Sequence, residues 1–179
     1  MSRKTLMVIH LYLAAFFTPV ILIMALSGGL YLFNVKGDVT KGETVFIPGA
    51  TLSASGDAKA EQVRALLAGA GLDDGFEYLK ERGNEMQTRP TSRDYYEIKV
   101  KPDGVEIVPV SPDLVAAMME LHKGHGPQLF RLLEQITAIG LVLILISGLV
   151  LGLQSPLLKN RTVAVTAAGI LAFVIVAAI

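Results

Sequence analysis

The sequence predicts a membrane protein with three transmembrane α-helices and a small extracytoplasmic α+β domain, in which one helix packs on an antiparallel sheet. Three observations support this fold class. Three long runs lack formal charge, an acidic segment at 34–126 separates the first two runs, and that segment contains alternating apolar and polar residues. Hydrophobic residues make up 52% of the chain. These features predict a domain inserted between membrane helices.

The first uncharged run, 6–33, predicts transmembrane helix 1. The second, 135–158, predicts helix 2 at 128–153, and the third, 162–179, predicts helix 3. A bilayer core requires about 20 helical residues. The first run contains 28 residues, whereas the apolar part of a cleaved signal peptide is usually about 7–15 residues. We therefore favour an uncleaved anchor over the rival signal peptide. The third run has 18 residues and is only just long enough to cross.

Short basic flanks predict the orientation. Arg3 and Lys4 precede the first run, and Lys159 and Arg161 lie between the second and third, with no acidic residue in either flank. Short basic loops stay on the cytoplasmic side. We therefore expect a multi-pass protein of a bacterial inner membrane, with a cytoplasmic N-terminus, a periplasmic 34–126 segment and a periplasmic C-terminus.

The composition excludes several kinds of site. The chain contains no cysteine, which rules out disulfides and thiolate chemistry. Its 16 basic residues are not clustered, so we expect no nucleic-acid partner. No nucleophile set, phosphate-binding glycine loop or paired carboxylate site stands out, and the sequence does not establish whether the protein is an enzyme.

The segment 34–111 predicts the α+β domain. Val63, Leu66, Leu67 and Ala70 have helical spacing after a potential cap at 54–57. Alternating patterns predict strands, and Lys101-Pro-Asp-Gly104 predicts the turn of a hairpin. We expect three to five strands. The predicted strands are 43–47, 76–80, 95–100 and 105–110.

An amphipathic connecting helix is predicted at 112–126, capped by Ser111. Its apolar face is expected to pack on the sheet, with Leu114 and Met118 in the core. If the helix continues far enough, His122 and His125 share that face. We expect this helix to break or kink before the second membrane segment, because two glycines and a proline follow: Gly124, Gly126 and Pro127.

The order of these parts resembles the PepSY-associated transmembrane family over roughly residues 5–153. The motifs that carry the resemblance are Met7-Val-Ile-His10, Leu26-Ser-Gly-Gly-Leu-Tyr-Leu-Phe33, the hairpin at 95–110, Glu120-Leu-His-Lys-Gly-His125 and Ile146-Ser-Gly-Leu-Val-Leu151. The resemblance implies a PepSY domain at about 43–110. Longer members include inner-membrane iron reductases with haem between helices, and shorter members are associated with ferrous-iron acquisition.

The resemblance implies a redox or accessory component of iron handling, through ferric reduction or electron transfer, with haem b as the expected cofactor. This chain departs from the longer members, because it has only three predicted spans and three histidines. The alternative is a non-catalytic membrane interaction or regulatory subunit, whose periplasmic domain docks on a partner protein.

His10 lies within the first predicted span, where an ionisable group usually faces protein or water. With the family resemblance, it is a candidate axial haem ligand. The alternative is a locally hydrogen-bonded histidine near the headgroups. The predicted topology places His10 near one membrane surface and His122 and His125 near the other. A haem with two histidine ligands at His10 would then need a second chain.

His122 and His125 are candidate cofactor ligands, and with Met118 they form a candidate iron or copper site. The alternative is that Met118 belongs to the core and the histidines lie at the interface as structural groups. We expect Arg131 and Glu134 to form a local ion pair.

Small residues indicate close helix packing and, more weakly, partners for the membrane helices. Gly148 and Gly152 form a GxxxG motif, and Ala25 and Gly29 have the same spacing. We therefore expect the lipid bilayer as a partner, together with a second copy of the chain or another membrane protein.

Overall fold

The computed structural model describes residues 2–52 and 55–179. They form two compact units, which are described separately below. One contains the residues up to Leu22 together with Gln135–Ile179, and the other is Ile23–Glu134. The elements in chain order are α1 (Arg3–Leu32), β1 (Val39–Lys41), β2 (Val45–Pro48), α2 (Asp57–Gly69), β3 (Tyr78–Arg82), β4 (Glu85–Arg89), β5 (Tyr95–Lys101), β6 (Gly104–Pro112), α3 (Leu114–His122), α4 (Gln128–Leu153) and α5 (Lys159–Ala178).

Three of these helices, α1, α4 and α5, are long and apolar enough to cross a membrane. They contain 30, 26 and 20 residues, respectively, against the roughly 20 that a bilayer core requires. Most of their large apolar side chains are exposed on the protein surface. Lipid is the environment in which such surfaces are stable.

In the unit that contains Gln135–Ile179, small residues allow the helices to approach each other closely. The ring of Phe17 on α1 occupies the space that a side chain at Gly140 would need. A Cβ at Gly152 would lie 2.7 Å from Oγ1 of Thr162 on α5. Such contacts are typical of helix packing in membranes, where small residues let backbones come together. Gly152 of the GxxxG motif therefore contacts α5 of the same chain.

The other unit is built on a six-stranded antiparallel sheet with the strand order β1-β6-β5-β4-β3, and β2 also pairs with β6. The predicted hairpin is its longest pairing, from Tyr95 opposite Val110 to Lys101 opposite Gly104. Gly104 is needed there because a Cβ would collide with the carbonyl of Ile47 on β2.

Helix α2 covers one face of this sheet. Val63 and Leu67 have no exposed surface, and Leu67 is among the largest fully buried side chains. Their spacing of four residues places them on one face of the helix, as the sequence predicted. The sheet contributes four residues to this hydrophobic core, and the segment before β3 contributes Phe76. The four sheet residues are Met86, Ile98, Val105 and Ile107. The fold class is therefore confirmed, with three membrane helices and a helix on an antiparallel sheet between the first two.

Two strands were not predicted. β1 is only three exposed residues long, and β4 reads Glu-Met-Gln-Thr-Arg, which lacks an apolar run. The sheet therefore has six strands rather than the expected three to five. Of the potential cap at 54–57, Ala54 lies outside the described residues. The residue preceding α2 is Gly56, and no side chain caps this helix.

The connecting helix also differs from the prediction. β6 continues through Ser111, and Asp113 caps α3 instead by accepting a hydrogen bond from the backbone N–H of Ala116 at 2.7 Å. Leu114 is 77% exposed and is not a core residue, whereas Ala116 and Met119 are buried. The cap shifts the helix start, so a different face is buried against β6.

Candidate histidine sites

His10 is held by a serine on a neighbouring helix. Its Nδ1 lies 2.9 Å from Oγ of Ser147 on α4. Gly148 follows immediately, and a Cβ there would lie 3.2 Å from Cε1 of the imidazole, so the ring edge rests against the backbone of α4. We call His10, Ser147 and Gly148 the His10 cradle. It joins α1 to α4 within one compact unit.

His122 has the same arrangement with different residues. Its Nδ1 lies 3.0 Å from Oγ of Ser27, which is fully buried on α1. A Cβ at Gly28 would lie 3.3 Å from Cε1 of the ring. We call His122, Ser27 and Gly28 the His122 cradle. Each cradle thus pairs a histidine with a Ser-Gly dipeptide of a membrane helix, and the two cradles share no residue.

The serine hydroxyls determine which ring nitrogen carries the proton. Ser147 Oγ donates its hydrogen to the carbonyl oxygen of Ile144 at 3.0 Å. A hydroxyl has one hydrogen, so while Ser147 donates to Ile144 it accepts from His10. In that arrangement Nδ1 of His10 is the donor, and a neutral ring keeps its free electron pair on Nε2. Among the described residues, Nε2 of His10 forms no hydrogen bond.

The same reasoning applies to His122. Ser27 Oγ donates to backbone carbonyl oxygens of its own helix, at 2.8 Å from that of Ile23 and 3.1 Å from that of Met24. It therefore accepts from Nδ1 of His122. Nε2 of this ring also has no hydrogen-bond partner among the residues that the structure describes. His122 is an exposed residue and His10 is partly exposed.

His125 has a different environment from His122. α3 ends at His122, and Gly124 has a φ of 72°, so the condition for a shared helix face is not met. His125 Nδ1 instead lies 2.8 Å from Oε2 of Glu120, and its carbonyl accepts a hydrogen bond from the backbone N–H of Thr91. His125 therefore links the end of α3 to the loop that follows β4.

Glu120 is the centre of a charged network. Its Oε2 accepts hydrogen bonds from Thr91 Oγ1 at 2.5 Å and from Arg89 Nη1 at 3.4 Å, in addition to the one from His125. Its Oε1 accepts from Lys123 at 2.8 Å. Burial disfavours the charged carboxylate, but the hydrogen bonds from Lys123, Thr91 and His125 outweigh it and lower the pKa of Glu120 to about 2. The carboxylate is therefore ionised throughout the physiological range.

Two further expectations concern Met118 and the Arg131–Glu134 pair. Met118 is half-buried on α3. Within residues 2–52 and 55–179, no group of three or more His, Cys, Asp or Glu side chains is placed to hold a metal ion. The expected ion pair is wrong: Arg131 and Glu134 form none among the described residues, and Glu134 Oε1 is buried without a hydrogen-bond partner.

The serines were missed by the sequence analysis, although both lie in motifs that it identified. Each of the two Ser-Gly dipeptides, Ser27-Gly28 and Ser147-Gly148, lies near the end of an apolar run. One histidine, His10, lies near the start of the first run, and another, His122, precedes the second run. A single serine in a membrane helix usually bonds to its own backbone, which makes it uninformative. The recurrence of Ser-Gly in both helices is the pattern that could have identified them.

The fold and the cradles define a class of membrane protein in which an α+β domain is inserted between two helices that carry histidine-binding Ser-Gly dipeptides. The sequence profile described as the PepSY-associated TM region matches residues 7–173, and the chain belongs to this family. No curated protein and no solved structure matches the chain.

Proposed function

We propose that this chain is a membrane redox or accessory component of iron handling, in which His10 and His122 bind haem iron through Nε2. The observation that carries the proposal is that a serine holds Nδ1 of both rings, at 2.9 Å for His10 and 3.0 Å for His122, while Nε2 of neither ring is hydrogen-bonded among the described residues. An imidazole binds iron through a free electron pair on one nitrogen while the other N–H is held by a hydrogen bond. Both rings meet this requirement.

The donor chemistry of the two rings fits a haem, since a neutral imidazole nitrogen is a common ligand of haem iron. Each ring rests against a glycine, which leaves the edge that carries Nε2 without a side-chain contact from that residue. Haem would supply one-electron chemistry, which suits ferric reduction or electron transfer. The residues of the chain would hold the ligand nitrogen, fix its orientation and keep the adjacent N–H occupied.

Each histidine would contribute one ring nitrogen as a ligand, and we assign any further ligand to a second copy of this chain or to another membrane protein. The predicted topology, with the α+β domain in the periplasm of a bacterium, supports a role in iron acquisition. Membership of the PepSY-associated transmembrane family supports the same setting.

The test is a visible spectrum of the purified full-length protein, oxidised and then reduced with dithionite. We expect a Soret band that shifts on reduction and weakens in His10→Ala and in His122→Ala. His125→Ala is the matched control, since its Nδ1 is held by Glu120 rather than by a serine. A protein that remains colourless after expression with added haem precursor, and that contains no iron, would contradict the proposal.

A second candidate function is a docking subunit. A groove of about 520 Å³ lies along the sheet, and it is lined by charged side chains that include Lys80 and Arg82. Neither of these two forms an ion pair among the described residues, whereas Lys41 and Lys99 in the same groove are paired with glutamates. An acidic surface of a partner could bind there.

The two candidates give different results. If docking is the function, replacing Lys80 and Arg82 by glutamate would release a partner that co-purifies with the wild-type chain, while the visible spectrum would show no haem in either protein. If haem binding is the function, the same replacements would leave the Soret band unchanged.

A further inference from the structure

We infer that Ser27 and Ser147 are positioning residues that fix the tautomers of His122 and His10, so that Nε2 is the binding nitrogen of both rings. The inference rests on the proposed function for its purpose but not for its test. Neither serine would touch the bound group. Each would act through the imidazole that it holds.

The argument begins with the helix backbone. A serine in a helix can donate its hydroxyl hydrogen to the carbonyl of the preceding turn. Ser147 does so to Ile144, and Ser27 does so to Ile23 and Met24. While the hydroxyl makes this donation, its oxygen can only accept a hydrogen bond from the ring.

The second step is the ring. The distances of 2.9 Å for His10 and 3.0 Å for His122 are normal for a nitrogen donor and a hydroxyl acceptor. With Nδ1 protonated and Ser-bound, the neutral ring presents Nε2 as its only electron pair. In the opposite tautomer Nδ1 would carry an electron pair instead of a hydrogen. That electron pair would face an electron pair of the serine oxygen, because the hydroxyl hydrogen is donated to a backbone carbonyl.

The third step is the glycine beside each serine. A Cβ built on Gly148 would lie 3.2 Å from Cε1 of His10, and one built on Gly28 would lie 3.3 Å from Cε1 of His122. Because glycine has no side chain, each ring can approach the facing helix closely enough for Nδ1 to reach the serine oxygen. The glycine therefore helps to set the position of the ring, and the serine its hydrogen bond.

The direct test is the tautomer of each histidine in the haem-free full-length protein. Two-bond ¹H–¹⁵N NMR spectra of histidine-labelled protein in detergent distinguish an Nδ1–H ring from an Nε2–H ring. The spectra are recorded at pH 8.5, where an ordinary imidazole is neutral. Three single His→Gln variants assign the three resonance sets.

We expect Nδ1–H rings for His10 and His122 in the wild-type protein. Ser147→Ala should change only the His10 pattern toward Nε2–H, and Ser27→Ala only the His122 pattern. Ser147→Thr should restore the wild-type pattern, because it keeps a hydroxyl. Thr18→Ala is the matched control: Thr18 Oγ1 donates to the carbonyl of Ala14 in α1, and among the described residues it forms no hydrogen bond with a histidine.

The loaded protein gives the second readout. Loss of a hydrogen-bond partner to a metal-binding histidine typically weakens binding about 10- to 100-fold, and we expect this for each Ser→Ala variant with added haem. Wild-type rings that are Nε2–H, or Ser→Ala rings that remain Nδ1–H, would overturn the inference. If the tautomers change as expected but no protein binds haem, the inference stands and the proposed function fails.

Discussion

The two cradles hold their histidines in the same way but depend on different parts of the chain. His10 lies in the first third of α1, and its serine partner lies on α4, so both residues of this hydrogen bond belong to membrane helices. His122 is the last residue of α3, two positions after Glu120, whose carboxylate is bound to Arg89 and Thr91. The comparison shows how an extramembrane domain can control one histidine site without being needed for the other.

The largest expected effect comes from Glu120→Gln. The change leaves Arg89, which is 6% exposed, without its charged partner. Removal of one member of a buried ion pair typically lowers the free energy of unfolding by about 3–5 kcal/mol. Because Glu120 is partly exposed, we expect a decrease at the lower end of this range, about 3 kcal/mol. Thermal unfolding of the full-length protein in detergent measures it.

The same variant tests whether the two sites are independent. The NMR signal of His122 should broaden or shift in Glu120→Gln, while that of His10 should remain as in the wild type. Glu61→Gln is the matched control, because Glu61 pairs with Arg64 at 3.4 Å on an exposed helix surface. Equal changes at both histidines would contradict the comparison.

The next largest effect is expected from acid, which should destabilise the structure around His122. The pKa of Glu120 falls from an ordinary 4.5 to about 2 in the folded protein, since its hydrogen bonds outweigh its burial. A lowered pKa means that the carboxylate stabilises the fold above pH 4.5, and that this contribution is lost as the pH falls toward 2. We therefore expect the unfolding temperature to fall across this range, and to fall less in Glu120→Gln. Identical pH profiles would show that the network does not contribute.

A smaller and more local effect is expected from Gly28→Ala. The added Cβ would lie 3.3 Å from Cε1 of His122, so the ring must move by a few tenths of an ångström. We expect about tenfold weaker haem binding, with only a minor change in thermal stability. The neighbouring Gly29 has no atom within 4 Å of an added Cβ, which makes Gly29→Ala an ideal control. The comparison fails if both variants bind haem equally.

Gly148→Ala makes the corresponding change in the His10 cradle, where the added Cβ would lie 3.2 Å from Cε1 of the ring. Its control is Gly169→Ala on α5, which also has open space at Cβ. We again expect about tenfold weaker haem binding, in this variant because the His10 ring is displaced. A variant in either cradle should leave the NMR pattern of the other histidine unchanged.

The fold could be predicted from the sequence where a physical constraint is local. Span length follows from bilayer thickness, and the hairpin follows from Pro102-Asp-Gly104 between alternating strands. β4 could not be predicted, because its alternation of Met86 and Thr88 with polar residues is too weakly apolar. That strand is positioned by pairing with β3 and β5, which sequence patterns do not record.

The histidines of the candidate site could be selected from the sequence by residue type and motif, and their role as ligands stays a prediction. The serine partners of His10 and His122 could not be selected, because they are 137 and 95 residues away in the chain. Separation of His122 from His125 depends on where α3 ends, and the positive φ of Gly124 determines this. Helix ends are the least predictable boundaries, so two histidines three residues apart were expected to act together.

The smallest expected effect is that of Asp113→Ala at the start of α3. Asp113 accepts backbone hydrogen bonds from Ala116 and Asp38, which lower the pKa of its carboxyl below the ordinary 3.8. Without this cap, the first turn of α3 should fray, while Glu120 still anchors its other end. We expect a slight decrease in unfolding temperature and an unchanged NMR pattern for both His10 and His122. The unfolding temperature of Asp113→Asn should decrease less than that of Asp113→Ala, since asparagine also caps helices. A displaced His122 in Asp113→Ala would mean that the whole of α3, and not the Glu120 network alone, positions this histidine.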